Sequence, residues 1–296
     1  MKSSTRIINQ PIPASELVLR SDKSVYHLGV RNENIADQVV IVGDPERVPQ
    51  ISRRFERVDF SIHNREFALH TGEFNGKRIT VASSGIGVDN IDILINELDA
   101  AVNIDPTTQL PNATLRVLEF LRLGTCGTLQ KHIDPGEFII SAFAFALDGV
   151  PHSYEAEFTS NELALEHELR KSYSWLKGNE NLYAVEGSLE LLQRYSDMGH
   201  VGITATANGF YGPQGRSVRL QSHMEKRIEQ YAGFEFEGLN ILNLEMECAG
   251  IFALSSMLGH RSLTICTVLA NRVRKEFHSD PSTSVETLIS TALQRF

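Results

Sequence analysis

Four short clusters carry side chains able to do chemistry. Gly43-Asp44-Pro45-Glu46-Arg47 follows an apolar run and opens a helix-like stretch. Exposed amides at such a turn, with an arginine one turn on, can hold an anion with help from the helix dipole. An ordinary capped helix start has the same composition. Arg122-Leu123-Gly124-Thr125-Cys126-Gly127 places a guanidinium in an apolar strand, which is costly unless a carboxylate or a ligand pairs with it. The glycines and Thr125 bring a hydroxyl and backbone amides to that strand's end, where ligands gather in α/β sheets. Asn243-Leu244-Glu245-Met246-Glu247 sets two carboxylates one residue apart across a strand end and a helix start. Carboxylates accept from vicinal hydroxyls, and a thioether offers a soft apolar surface to a sugar ring. Acids serving a helix dipole show the same pattern.

The fourth cluster is Gly209-Phe210-Tyr211-Gly212-Pro213-Gln214-Gly215-Arg216. Glutamine donates and accepts, and arginine only donates. Together they match the O4, N3–H and O2 edge of a pyrimidine dione, with Phe210 against the ring; a surface loop of turn residues is the plainer reading. His27, in Tyr26-His27-Leu28-Gly29, and Arg65, in His63-Asn64-Arg65-Glu66-Phe67, each alone read as surface or structural residues.

These clusters need a scaffold. Gln38–Val42 reads as a buried strand ending at the first cluster. Phe67–Glu73 and Lys77–Ser83 form a hairpin through Phe74-Asn75-Gly76, the Asn-Gly pair being the strongest short hairpin signal. Ile91, Leu94, Ile95, Leu98 and Val102 recur at helical spacing over Asn90–Val102. Further strands are expected at Leu118–Gly124, Glu137–Ala146, Val201–Thr206, Leu239–Leu244 and Ser262–Leu269. Helices are expected at Leu163–Trp175, Ser222–Gln230, Met246–Leu258 and Val285–Arg295, the last behind a Thr283-x-x-Glu286 capping box. Asn103–Ala113 reads as an inserted loop, and Lys177–Gly199 is ambiguous. The order of elements gives one α/β domain with a central mixed β-sheet flanked by helices. Residues 1–23 form an N-terminal arm, and 24–296 the domain.

The chain has 296 residues, 42% hydrophobic and 22% charged, which is the composition of a folded globular protein. Its 28 Lys+Arg against 37 Asp+Glu leave a net charge of −9, a poor basis for binding nucleic acid or an anionic membrane. The 3 cysteines have no Cys-x-x-Cys spacing and suggest neither a disulfide scaffold nor a metal site. No secretory signal is visible, and the longest apolar run, Phe138–Leu147, is too short to span a bilayer. The cytosol is the expected location.

In order along the chain, YHLG (26–29), GDPER (43–47), NREF (64–67), SSGIG (83–87), LRLGTCG (121–127), FYGPQGR (210–216), NLEMECAG (243–250) and ANR (270–272) resemble the nucleoside phosphorylase-I family. The likeness runs over residues 24–296, and the Gln and Arg of FYGPQGR mark its uridine-cleaving branch. It implies a pentosyltransferase of pyrimidine salvage. Uridine, deoxyuridine or thymidine would react reversibly with inorganic phosphate to give the free base, uracil in the first case, and the pentose 1-phosphate, ribose 1-phosphate from uridine. It implies that Gly43, Arg47, Arg122 and Thr125 bind phosphate and that Glu245, Met246 and Glu247 hold the ribose. Phe210, Gln214, Arg216, Leu269 and Ala270 would form the base site, with Arg272 supporting the loop. It further implies that Arg65 and His27 reach phosphate and ribose from a neighbouring subunit, so that a homodimer is the smallest active unit.

The implied chemistry suits the residue types. Arginines and amides place a weak nucleophile beneath C1′. The glycosidic bond breaks early through a cation-like sugar, and Gln214 and Arg216 stabilise the leaving base. No organic cofactor is needed; a monovalent cation near Glu66 is compatible with the family. Purine-cleaving relatives carry an Asp near the position of Asn271, which speaks against a purine nucleoside phosphorylase. A catalytically silent nucleoside-binding paralogue is the other alternative. The segment GIGVDN lacks the full dinucleotide-binding pattern of a dehydrogenase.

Overall fold

The structure, a computed structural model, describes residues 10–296 and the backbone of residues 2 and 3. The rest of the expected N-terminal arm lies outside the described residues. Its visible part is anchored: Leu17 is buried, and the Ile12 amide donates to the Gln109 carbonyl at 3.0 Å.

One α/β domain is built on a mixed sheet. Strand β1 (Gln38–Val42) leads into the short helix α1 (Arg47–Ser52). An antiparallel meander follows, of β2 (Arg57–Asn64), β3 (Phe67–Phe74) and β4 (Lys77–Ser83). The expected hairpin turn joins β3 to β4, with Asn75 and Gly76 both at positive φ (51° and 71°). β2 was not foreseen. It is an edge strand, exposed or half-buried throughout, although Val58, Phe60 and Ile62 alternate with polar residues. Helix α2 (Val88–Asn103) buries the five apolar positions read from the sequence, each contributing about 1.5–3 kcal/mol.

The second half supplies β5 (Glu119–Thr128), β6 (Phe138–Ala146), α3 (Ser160–Ser172), β7 (Tyr183–Glu186), α4 (Leu189–Tyr195) and β8 (His200–Thr206). It ends with α5 (Glu225–Tyr231), β9 (Leu239–Glu245), α6 (Cys248–Met257), β10 (Arg261–Asn271) and α7 (Pro281–Leu293). Thus the ambiguous 177–199 holds a short strand and a short helix. The insert 103–113 is a small hairpin, with Ile104–Asp105 paired to Leu110–Pro111.

The sheet runs β9-β8-β6-β10-β5-β1-β4-β3-β2, and β9 also meets β5 through Asn243↔Thr128 and Leu244↔Gly127. That second pairing closes β5, β10, β6, β8 and β9 into a ring. β10 runs parallel to β5 and antiparallel to β6; β1 joins the ring to the meander by parallel pairing with β5 and β4.

Two helix starts differ from expectation. The true capping box belongs to α3, where the Thr159 hydroxyl accepts from the Glu162 amide and the Glu162 carboxylate accepts from the Thr159 amide. At α7 the cap is Asp280, which accepts from the Thr283 amide at 3.1 Å, so Thr283 lies inside the first turn. Cys126, Cys248 and Cys266 are free thiols, all buried. Among the described residues no helix is long and apolar enough to cross a membrane.

Candidate active site

The strand ends of β1, β5, β9 and β10 surround one cavity of about 840 Å³. It gathers residues far apart in sequence: Gly43, Arg47, Arg122 and Thr125; Glu245, Met246 and Glu247; Phe210, Gln214 and Arg216; and Leu269 and Ala270. Twelve of the residues singled out in the sequence therefore share one chamber.

At the end of β1, the turn uses some of its own amides internally. The Glu46 amide donates to Asp44 Oδ1 at 2.9 Å, Arg47 to the Asp44 carbonyl at 3.0 Å and Val48 to the Pro45 carbonyl at 3.2 Å. Asp44 and Pro45 thus take up the Glu46, Arg47 and Val48 amides, while the amides of Gly43 and Asp44, both at the cavity edge, are not among those so used. Beside these two amides the Arg47 side chain adds a guanidinium to the same cavity edge. No carboxylate is ion-paired to it among the described residues. Burial lowers its pKa, Asp44 opposes that, and repulsion from Arg122 adds to it.

Arg122 is 4% exposed and held between two acids. Nη2 donates to Glu247 Oε2, and Nη1 lies 3.2 Å from Glu245 Oε2 and 3.3 Å from Cys266 Sγ. Burial works against its charge, but Glu247 and then Glu245 outweigh it and hold the pKa above the ordinary value. Gly124 makes the arrangement possible: a Cβ there would stand 2.2 Å from Arg122 Nη1. Among the described residues Arg122 Nε is buried without a hydrogen-bond partner, which leaves it as a donor.

The two acids of the third cluster have different surroundings. Glu247 Oε1 accepts from the Gly87 amide at 2.7 Å, at the start of α2. Gly250 lets α6 close on α2, since a Cβ would meet Val88 Cγ2 at 2.6 Å. Glu245 is occupied at both oxygens. Oε1 accepts from the Thr206 hydroxyl at 2.6 Å, and Oε2 from the Glu247 and Cys248 amides at 2.8 and 2.9 Å. It caps α6, which is why that helix begins at Cys248 and not at Met246. Glu245 lines the cavity as Glu247 does, and like Glu247 it has both oxygens engaged within the protein.

The fourth cluster forms a 3₁₀ turn at Gly212–Gln214. Arg216 lies 3.9 Å above the Phe210 ring centroid, and its Nη1 donates to Gln214 Oε1 and, at 2.7 Å, to the Phe210 carbonyl. With that oxygen engaged, the glutamine NH₂ is left as a donor. Burial, then Arg272, pushes the Arg216 pKa down to about 10. Arg272 Nη2 donates to the Gln214 carbonyl at 3.0 Å from outside the cavity lining, in keeping with its expected support of this loop. Asn271 is fully buried, and Nδ2 donates to the carbonyls of Gln130 and Ile133 at 3.0 and 2.9 Å. It is a structural residue and does not line the cavity.

His27 and Arg65 lie outside the chamber. His27 is clamped by Glu97 of α2, with Nδ1 2.6 Å from Oε1 and the backbone amide also donating to that carboxylate. Arg65 is exposed on the β2–β3 turn at φ +57°. The cavity also takes Glu66, beside which a monovalent cation was considered, and Gly85, Ile86, Asn90 and Phe277, for which no binding role was read from the sequence. SSGIG was the available signal: Gly85, at φ +71°, sits where a Cβ would come within 2.5 Å of Asn90 Nδ2.

Residues 37–296 match the Phosphorylase superfamily, and the chain belongs to that family. The uridine phosphorylase of Thermococcus kodakarensis is 32% identical over 253 residues, 85% of this chain and 79% of the relative. That of Haemophilus influenzae is 28% identical over 260 residues, 86% of this chain and 90% of the relative. A crystal structure of a Trypanosoma brucei nucleoside phosphorylase described as showing uridine phosphorylase activity superposes with a TM-score of 0.84 at 25% identity. That match covers 95% of this chain and 99% of the other.

Proposed function

We propose that this protein catalyses the reversible phosphorolysis of uridine to uracil and ribose 1-phosphate. The observation that carries this reading is the single chamber. It brings together Arg47, Arg122 and Thr125, Met246 and Glu247, and the Phe210–Gln214–Arg216 loop. Its relatives named for the same reaction support it.

In this reading Arg47, Gly43, Thr125 and the free Nε of Arg122 hold phosphate beneath C1′. Holding an oxyanion with guanidinium groups in a buried site replaces its water shell and aligns it for attack. Glu247, fixed by Gly87 and Arg122, accepts from the ribose hydroxyls, and Met246 lies against the sugar. As the C1′–N1 bond breaks, its electron pair leaves with the base. The developing negative charge is met by the Gln214 NH₂ and by Arg216, donors already in place before the reaction. Phosphate oxygen then closes on C1′.

Arg65 and His27 act from a second subunit, so the active unit is at least a homodimer. The protein works in the cytosol without an organic cofactor, and a monovalent cation near Glu66 is compatible with the site. The deciding experiment follows uridine absorbance with and without inorganic phosphate. Conversion to uracil only with phosphate is the expected outcome. Conversion without it would mean a hydrolase, and uridine binding without conversion would mean a silent paralogue.

A further inference from the structure

Thr206 ends β8 and is 6% exposed. Its hydroxyl does two things at once. It donates to Glu245 Oε1 at 2.6 Å and accepts from the Ala249 amide at 3.0 Å, inside the first turn of α6. Glu245 in turn caps the amides of Glu247 and Cys248 and lies 3.2 Å from Arg122 Nη1. A single hydroxyl therefore joins β8, the end of β9 and the start of α6, and through Glu245 it fixes both Arg122 and Glu247.

We infer that Thr206 is a positioning residue for the phosphorolysis proposed above: it orients Glu245 so that Arg122 and Glu247 face the cavity in one fixed arrangement. It touches neither phosphate nor sugar and acts only through Glu245.

The chemistry of the replacement makes this testable. Thr206→Val keeps the shape and removes the hydroxyl. The Glu245 carboxylate then loses a donor and the buried Ala249 N–H loses its acceptor. Burial already pushes the Glu245 carboxyl up against the pull of Arg122. Taking away a hydrogen bond to its charged form raises it further. The titratable and charged groups facing it are Arg122 and Cys126 from β5, Glu247 beside it, Cys248 from α6 and Tyr183 from β7. Among these only Glu247 is another carboxylate, and Thr206 makes no hydrogen bond to it.

The experiment measures kcat, KM for phosphate, KM for uridine and the pH–rate profile of wild type, Thr206→Val and Thr206→Ser, each shown to melt cooperatively. Thr206→Ala replaces the valine variant if the latter does not fold. The expected result for the hydroxyl-free variant is a fall in kcat/KM for phosphate of about 10-fold or more. Its acid limb moves to higher pH, and Thr206→Ser stays within about threefold of wild type. An unmoved acid limb, or a serine variant as impaired as the valine one, overturns the positioning role while the reaction itself stands. Wild type without phosphate-dependent cleavage overturns the reaction, and the role with it.

Discussion

Asn64 donates from its side-chain amide to the backbone carbonyl of His27 at 2.6 Å. That bond ties the loop carrying His27 to the turn carrying Arg65. Glu97 clamps the same loop from α2. The two residues that do not reach their own cavity are thus held together, as parts of one surface.

The first prediction uses that surface. Arg65→Ala and Arg47→Ala homodimers should each be nearly inactive. Mixed and refolded together, they should recover up to about a quarter of wild-type activity, since half the dimers then carry one intact shared site. No recovery in proven mixed dimers would show that Arg65 does not serve a partner's cavity.

Arg65 also pays a conformational cost. A left-handed backbone in a non-glycine residue costs about 1–2 kcal/mol, and here φ is +57°. Arg65→Gly should therefore raise the melting temperature while lowering kcat/KM for phosphate. A variant that is both less stable and fully active would contradict both halves.

Gln214 and Arg216 are assigned to the leaving base. Arg216→Ala and Gln214→Ala should each lower kcat for uridine by about 10²–10³-fold, with a smaller change in KM for phosphate. Near-normal turnover in either would remove that residue from the base site.

Gly124 sets the seat of Arg122. Gly124→Ala places a methyl 2.2 Å from Nη1 on the rigid ring strand β5 and forces the guanidinium away from Glu247. The expected cost is about 1–3 kcal/mol of stability together with weakened phosphate binding. Unchanged phosphate affinity by calorimetry would show that Arg122 does not grip the anion.

His70 on β3, hydrogen-bonded to Ser52 at 2.7 Å, gives a pH dependence away from the cavity. Burial lowers its pKa below the ordinary 6.5, so the unfolded chain takes up the proton first. Its contribution is complete above that value and is lost as pH falls through it and then through the folded-state pKa. Melting temperature should drop between pH 7.5 and 5.5, and His70→Gln should flatten that slope. Parallel slopes would assign the effect to other groups.

Much of this was legible in the sequence because the clusters combine backbone and side-chain constraints. Gly124 beside Arg122 and the Asn75-Gly76 turn are positions where few other residues fit. β2 was missed although Val58, Phe60 and Ile62 alternate with polar residues, a period-2 stripe that sits half-covered at the sheet edge. The part Glu245 plays at the start of α6 was not legible, because a carboxylate that caps a helix and one that binds a sugar look the same until its partners are known. Glu245 does serve the start of α6, as the helix-dipole reading expected, and both acids border the cavity. At Gly43–Arg47 the residue types could not reveal that Asp44 and Pro45 would take up the Glu46, Arg47 and Val48 amides and leave those of Gly43 and Asp44.

The ring closure of β9 on β5 has a consequence in time. Cavity residues span positions 43 to 277, and the seam Leu244↔Gly127 joins segments more than a hundred residues apart. Contacts of such sequence separation form late, after the costly loops have closed. During refolding, helix content and core burial should return before phosphorolysis does. Enzymatic turnover then serves as a clock for the final step, in which the last strand finds its place.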